Sequence, residues 1–277
     1  MIDYTSALTE EFLRTGKCAS CPMIDLHAHM FNLFECPMLL TEPEQQLKAM
    51  DRSNVALALF CSHDALCIGP AGVARDIEVA KRWPDRYRVY QAVFSPDCDP
   101  ARDLAIWEAN DVIAGFKFHG DNLRVPISDP RHTPYWEFAD ARKLPVLNHT
   151  WAGSPYCGIE EAEKILDRYH DLTFIAGHSF RGDTKGAIRL AQKYPNLVLE
   201  LTAVLSQQGM VDSFVDAGLE DRIVFGVDAP WFSYPFGIGA LLSARITDEV
   251  RRKILYKNAL AVLRKANTDL PDSLKNL

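Results

Sequence analysis

What most constrains this chain is an alternation. Short apolar, β-branched runs and longer amphipathic stretches take turns along most of its length. Candidate strands fall at 22–29, 54–61, 86–94, 112–119, 144–149, 172–178, 196–201 and 222–228. Helical patterns lie between them, at 42–51, 72–83, 99–110, 134–142, 159–169, 184–194 and 207–217. Asp99-Pro100 and Thr133-Pro134 read as helix starts, with proline at the first helical position. Trp83-Pro84 and Tyr194-Pro195 read as stops. Strict strand–helix alternation requires a parallel sheet. Repeats at roughly 29-residue intervals fit a closed (β/α)8 barrel. An open doubly wound sheet is the alternative. It usually carries a Gly-rich turn after its first strand, whereas this first strand ends in histidines.

The 277 residues, 48% of them hydrophobic, suffice for one large core. The expected organisation is an N-terminal extension (1–21), one barrel domain (22–266) and a loosely held tail (267–277). Two C-terminal helices are expected at 237–244 and 247–265, the second capped by Thr247 with Val250, Ile254 and Leu255 as its buried stripe. A net charge of −7 argues against nucleic-acid binding. The first residues lack a basic and then apolar leader, and no apolar run reaches membrane-spanning length. A cytoplasmic protein without membrane partners is the expectation. Seven cysteines, an odd number spread along the chain (Cys18, Cys21, Cys36, Cys61, Cys67, Cys98 and Cys157), do not form a disulfide framework. Cys18 and Cys21 have C-x-x-C spacing but no second pair, and read as ordinary reduced thiols.

The chemistry-bearing residues collect at strand ends. In Asp25-Leu26-His27-Ala28-His29 the two histidines sit at i and i+2 of a strand, so they share a face about 7 Å apart at the backbone. That arrangement suits one transition-metal ion. Of the 8 histidines, His27, His29, His63, His119, His149 and His178 fall at or just beyond a strand's C-terminal end. That is where a barrel builds its active site. The last strand ends in Phe225-Gly226-Val227-Asp228. Any one of these alone is more simply a satisfied core histidine or a capping carboxylate. Gathered in one ring they read as a metal site. Asp25, on the same face and deeper, could anchor an imidazole N–H.

These motifs resemble the amidohydrolase superfamily, and within it the amidohydrolase-2 branch of metal-dependent TIM-barrel hydrolases and decarboxylases. The likeness rests on Ile24–His29, Gly115-Phe116-Lys117-Phe118-His119, Pro145–Thr150, Ala176-Gly177-His178, Val224–Pro230 and the late Lys257-Asn258-Ala259. It implies that His27, His29, His149 and Asp228 hold a divalent metal, most often zinc, with manganese or iron as alternatives. His178 either joins the metal or stands beside the reacting water. The implied chemistry is attack by a metal-activated water. Asp228 would act as acid/base, and His178 would orient water or steady charge developing on oxygen. In binuclear relatives a lysine at the place of Lys117 is carboxylated and bridges two metals. The reading here is one metal, with Lys117 and His119 contacting substrate. A buried lysine needs a polar or anionic partner, and Arg181 or Arg124 could pair with a carboxylate. Trp151, Tyr156 and Trp231 are placed to wall the mouth.

Two enzymatic readings share this ligand set. One is hydrolysis of an ester, lactone or amide of a small, anionic organic substrate. The other is non-oxidative decarboxylation of an aromatic or unsaturated acid. Decarboxylase relatives tend to carry His-Gly-Gly where this chain has His178-Ser179-Phe180, which favours hydrolysis. A non-catalytic metal-binding or scaffold protein is the third reading, and the full ligand set argues against it. The expected partner is a small-molecule substrate, with a homodimer left open because related barrels often dimerise.

Overall fold

The computed structural model describes residues 6–33 and 38–277, so Cys36 lies outside the described residues. Eight strands form one sheet in sequence order, each parallel to the next. They are β1 (Met23–Ala28), β2 (Val55–Phe60), β3 (Tyr87–Ala92), β4 (Ile113–Phe118), β5 (Pro145–Trp151), β6 (Thr173–Arg181), β7 (Leu197–Glu200) and β8 (Ile223–Val224). The sheet closes on itself. The Leu26 amide donates to the Phe225 carbonyl (3.0 Å), the Asp228 amide to His27 (2.8 Å) and the His29 amide to Ala229 (2.6 Å). With helices between the strands, this is the expected (β/α)8 barrel.

The helices follow the sequence reading, with bounds shifted by a few residues. The helix Pro100–Glu108 begins at Asp99, whose side chain caps Arg102 N, and the helix Thr133–Ala141 carries its proline in the first turn. The expected last helix is continuous from Asp248 to Lys265 but widens into a π-helical turn at Lys253–Lys257. That turn frees the Ile254 carbonyl, which accepts the Phe225 amide at 3.1 Å. Asn258 then donates to the carbonyls of Glu220 (2.8 Å) and Ile223 (2.7 Å). The Asn-Ala motif thereby holds the short β8 in place.

At the termini one expectation changes and the other gains a form. The N-terminal extension forms a helix, Ala7–Thr15, with Ser6 as its cap and Gly16 in the left-handed conformation at its end. It docks through Ser6 and the Leu8 amide onto Asp248 (2.5 and 3.1 Å). The tail is not loosely held, because Leu270 and Leu274 are buried and Asp269 O accepts from the buried Arg88 guanidinium. Cys18 and Cys21 are buried free thiols, pushed up to about 12 and about 11 chiefly by burial. No helix of the described residues is long and apolar enough to cross a membrane.

Candidate metal centre

At the C-terminal mouth of the barrel, two imidazoles converge on one carboxylate oxygen. Oδ1 of Asp228 lies 3.0 Å from His29 Nε2 and 3.5 Å from His27 Nε2. The far nitrogen of each ring decides what those Nε2 atoms can be. Nδ1 of His27 faces the Glu200 carboxylate at 2.8 Å, and Nδ1 of His29 faces the Cys61 carbonyl at 2.6 Å. Both partners only accept, so each neutral ring carries its proton on Nδ1 and presents a lone pair at Nε2. Two nitrogen lone pairs and an anionic oxygen therefore point at one another. Such a set is stable only around positive charge. Among the described side chains that charge is the Lys117 ammonium, 3.1 Å from His27 Nε2. The donor set, imidazole nitrogens with a carboxylate, fits a divalent transition metal.

The electrostatics agree with neutral rings. Burial, and then the Lys117 charge, push the pKa of His27 well below the ordinary histidine value. Burial does the same for His178 and His119. It also lowers Lys117.

Glu200, at the end of β7, organises the floor. One oxygen takes His27 Nδ1 and the His178 amide (3.1 Å), and the other accepts from the Thr202 amide (2.6 Å) and hydroxyl (2.5 Å). It is fully buried. Sequence reasoning gave the imidazole-anchoring role to Asp25 and missed Glu200. Asp25 is buried, but its Oδ1 accepts the backbone N–H of His27 (2.8 Å). Gly226 leaves Glu200 its room, since a Cβ there would stand 2.3 Å from Oε1 and 2.9 Å from His27 Cβ.

β6 ends in an unusual backbone: His178, Ser179 and Phe180 all have positive φ (68°, 46° and 52°), as does Asp228 (58°). Each such residue costs about 1–3 kcal/mol and persists where the surroundings impose it. Here Glu200 holds the His178 amide, and Thr150 Oγ1 accepts the Phe180 amide at 2.9 Å. The turn brings a ring nitrogen of His178 within 4.8 Å of ligand atoms on His27 and Asp228. His178 Nε2 also lies 3.0 Å from His149 Nδ1.

The remaining expected site residues divide. His149 is not in the group formed by His27, His178 and Asp228; it belongs to a neighbouring one with Asp121 and Cys157. His119 lines the cavity, stacked on His149 with centroids 4.0 Å apart. Its Nδ1 accepts the Asn122 amide (3.2 Å), which puts the proton of the neutral ring on Nε2. Lys117 lies beneath, against His27. Arg181 does not line the cavity; its guanidinium sits over the Trp151 ring, 5.1 Å from the centroid. β6 runs on to Arg181 and pairs it with Trp151, which turns the side chain away from the expected carboxylate clamp. Neither Arg181 nor Arg124 is among the residues lining this cavity of about 440 Å³.

His63 and Trp231 close one side of the mouth. Trp231 Nε1–H donates to His63 Nε2 at 3.0 Å, and His63 Nδ1 donates to the Phe31 carbonyl at 2.8 Å. The His63 ring stacks on His29 (4.9 Å, 22°).

A family profile described as Amidohydrolase matches residues 24–265. No protein of curated function matches the sequence significantly. Among solved structures, an uncharacterised TIM-barrel protein from Bordetella bronchiseptica has a TM-score of 0.72 at 19% identity, over 89% of this chain and 99% of its own. A dihydroxybenzoic acid decarboxylase from a Polaromonas species, with bound manganese and the inhibitor 2-nitroresorcinol, gives 0.69 at 17%, over 88% and 97%. A probable 2-pyrone-4,6-dicarboxylic acid hydrolase from Acinetobacter baumannii, with citric acid bound, gives 0.70 at 15%, over 87% and 99%. At these identities the likeness establishes the barrel fold.

Proposed function

The chain belongs to the amidohydrolase family, and from that membership we propose that it is a metal-dependent hydrolase cleaving an ester, lactone or amide bond of a small organic substrate. The observation that carries the reading is the convergence of His27 Nε2 and His29 Nε2 on Asp228 Oδ1, both rings fixed with their lone pairs inward. These three residues hold the ion, and zinc suits them, with manganese or iron as alternatives. When bound, the ion polarises the substrate carbonyl and makes water acidic enough to ionise near neutral pH. The protein does the rest. Asp228 takes the water's proton at its carboxylate and returns it to the leaving group. His178, held by Glu200 and His149, hydrogen-bonds oxygen in the reacting complex. His119 offers Nε2–H to the substrate. Trp151, Trp231 and Phe232 line the cavity and give it an apolar wall for the substrate.

The cavity lining favours hydrolysis of a compact substrate over recognition of a multiply charged acid, because no arginine among the described residues lines it. The test is a screen of metal-loaded protein against lactones, amides and aromatic carboxylic acids. Acid or amine release without CO₂ is expected. CO₂ release from an aromatic acid, with no hydrolysis across the panel, would replace this reading by a decarboxylase. Asp228→Asn should cost at least about 10²–10⁴ in kcat, the usual worth of a positioned acid/base.

A further inference from the structure

We propose that Asp121 is a positioning residue for the metal centre: it accepts Nε2–H of His149 and so turns the Nδ1 lone pair of that ring toward His178. The likeness to the amidohydrolase-2 branch gives His149 to the metal centre, and Asp121 is what aims it there. This assignment rests on the metal centre of the proposed function and is independent of which bond is cleaved.

Asp121 lies in the turn Gly120–Leu123 after β4, and both its oxygens are acceptors. Ser154 Oγ already accepts the amides of Tyr156 and Cys157 (3.1 Å each), so its own proton goes to Asp121 Oδ1 at 2.5 Å. Burial pushes the Cys157 thiol up to about 12, and its S–H donates to Oδ2 at 3.2 Å. His149 Nε2 stands 3.5 Å from the same Oδ2. A lone pair on Nε2 would face an anionic oxygen, whereas an N–H faces an acceptor. The proton of the neutral ring therefore belongs on Nε2.

The other side of the ring selects the same tautomer. His149 Nδ1 lies 3.0 Å from His178 Nε2. Nδ1 of His178 is buried and has no partner among the described residues. The His178 proton therefore sits on Nε2, where His149 Nδ1 accepts it. That N–H of His178 is the donor the proposed reaction needs at oxygen. Stacking holds the plane of the His149 ring, against His119 (4.0 Å, 11°) and Trp151 (5.9 Å, 2°). Gly120 lets the turn carrying Asp121 close on the loop after β5, since a Cβ there would lie 2.7 Å from the Tyr156 carbonyl oxygen. Asp121 thus does for His149 what Glu200 does for His27: a carboxylate on the far nitrogen fixes the tautomer and makes the near one more basic.

The test uses Zn²⁺ alone, added to the chelator-treated full chain labelled with ¹⁵N-histidine. Long-range ¹H–¹⁵N spectra, with His149 assigned by its loss in His149→Ala, should place the proton on Nε2. Zn²⁺ should then shift Nδ1 and leave the Nε2 proton where it is. A proton on Nδ1 overturns the proposal. Zn²⁺ affinity, measured by competition with a chromogenic chelator, should fall about 10–100-fold in Asp121→Ala. In a His149→Ala background the same substitution should cost nothing more, because its effect passes through the imidazole. Unchanged affinity in folded Asp121→Ala, or an equal loss with and without His149, also overturns the proposal. Circular dichroism checks folding, and should Asp121→Ala fail to fold, the wild-type spectra decide alone. If spectra and affinities come out as described but the screen finds no hydrolysis, Asp121 keeps its role and the hydrolase reading fails. If hydrolysis is found but the two substitutions are additive, the hydrolase reading stands and the role of Asp121 fails.

Discussion

Glu200 shows how a residue can be decisive for a site and invisible to motif reasoning. His27 and His29 declare themselves by spacing, because i and i+2 on a strand can only share a face. Glu200 stands alone after Leu197-Val198-Leu199, and nothing local says that its partner lies 173 residues away. The available signal was physical: a carboxylate ending an apolar strand must be paired once buried. Asp25 was the nearer candidate, but it lies two residues from His27 along the chain and bonds the backbone there. If Glu200 fixes the Nδ1–H tautomer of His27, Glu200→Gln should bind the first metal about 10–100-fold more weakly, measured by competition with a chromogenic chelator. Unchanged affinity would remove that role. His63 gives a pH prediction. Burial depresses its pKa to about 4 from an ordinary 6.5. The unfolded chain thus binds the extra proton first as pH falls. The stability His63 contributes is complete above about 6.5 and is lost between there and about 4. Unfolding midpoints of chelated protein should fall across that window, and less steeply in His63→Asn.

At the scale of elements, β8 is the informative case. As a two-residue strand it has little ladder of its own. It is fixed instead by the π-helical turn at Lys253–Lys257 and by Asn258. The Asn-Ala motif was legible as a sequence likeness, whereas its function as a clamp on two carbonyls needed coordinates. Asn258→Ala strands both carbonyls, at about 1–3 kcal/mol for a buried group left unpaired. A lowered melting temperature and a weakened Asp228 site should appear together in that variant, because the backbone that carries Asp228 follows β8. Wild-type metal affinity in a destabilised Asn258→Ala would separate the clamp from the site. The helices missed from sequence were short or terminal. His63–Ile68 spans 6 residues, too few for a helical period to emerge from the pattern. Ala7–Thr15 had legible signals in Ser6 and Gly16, but its identity as packed structure depends on Asp248, far along the chain.

For the whole molecule, the barrel was legible because it is a repetition. Each strand–helix unit carries its own period, and eight in succession leave few topologies open. The mouth was not legible, because it is assembled by loops from different repeats. Trp231 meets His63 across 168 residues, and Arg181 turns onto Trp151 instead of into the cavity. Strand alternation placed the histidines in one ring, but could not say that His149 would face Asp121 and Cys157 while His27 and His29 faced Asp228. Positive charge is required where those lone pairs meet, and a divalent metal is its proposed source. The most direct test of that source is turnover and divalent-metal content per chain, followed through chelation and readdition of Zn²⁺ or Mn²⁺, once a substrate is found in the screen. At least one equivalent of metal, turnover lost on chelation and restored by the ion, is the predicted result. A chelated, metal-free protein that keeps full turnover would contradict it.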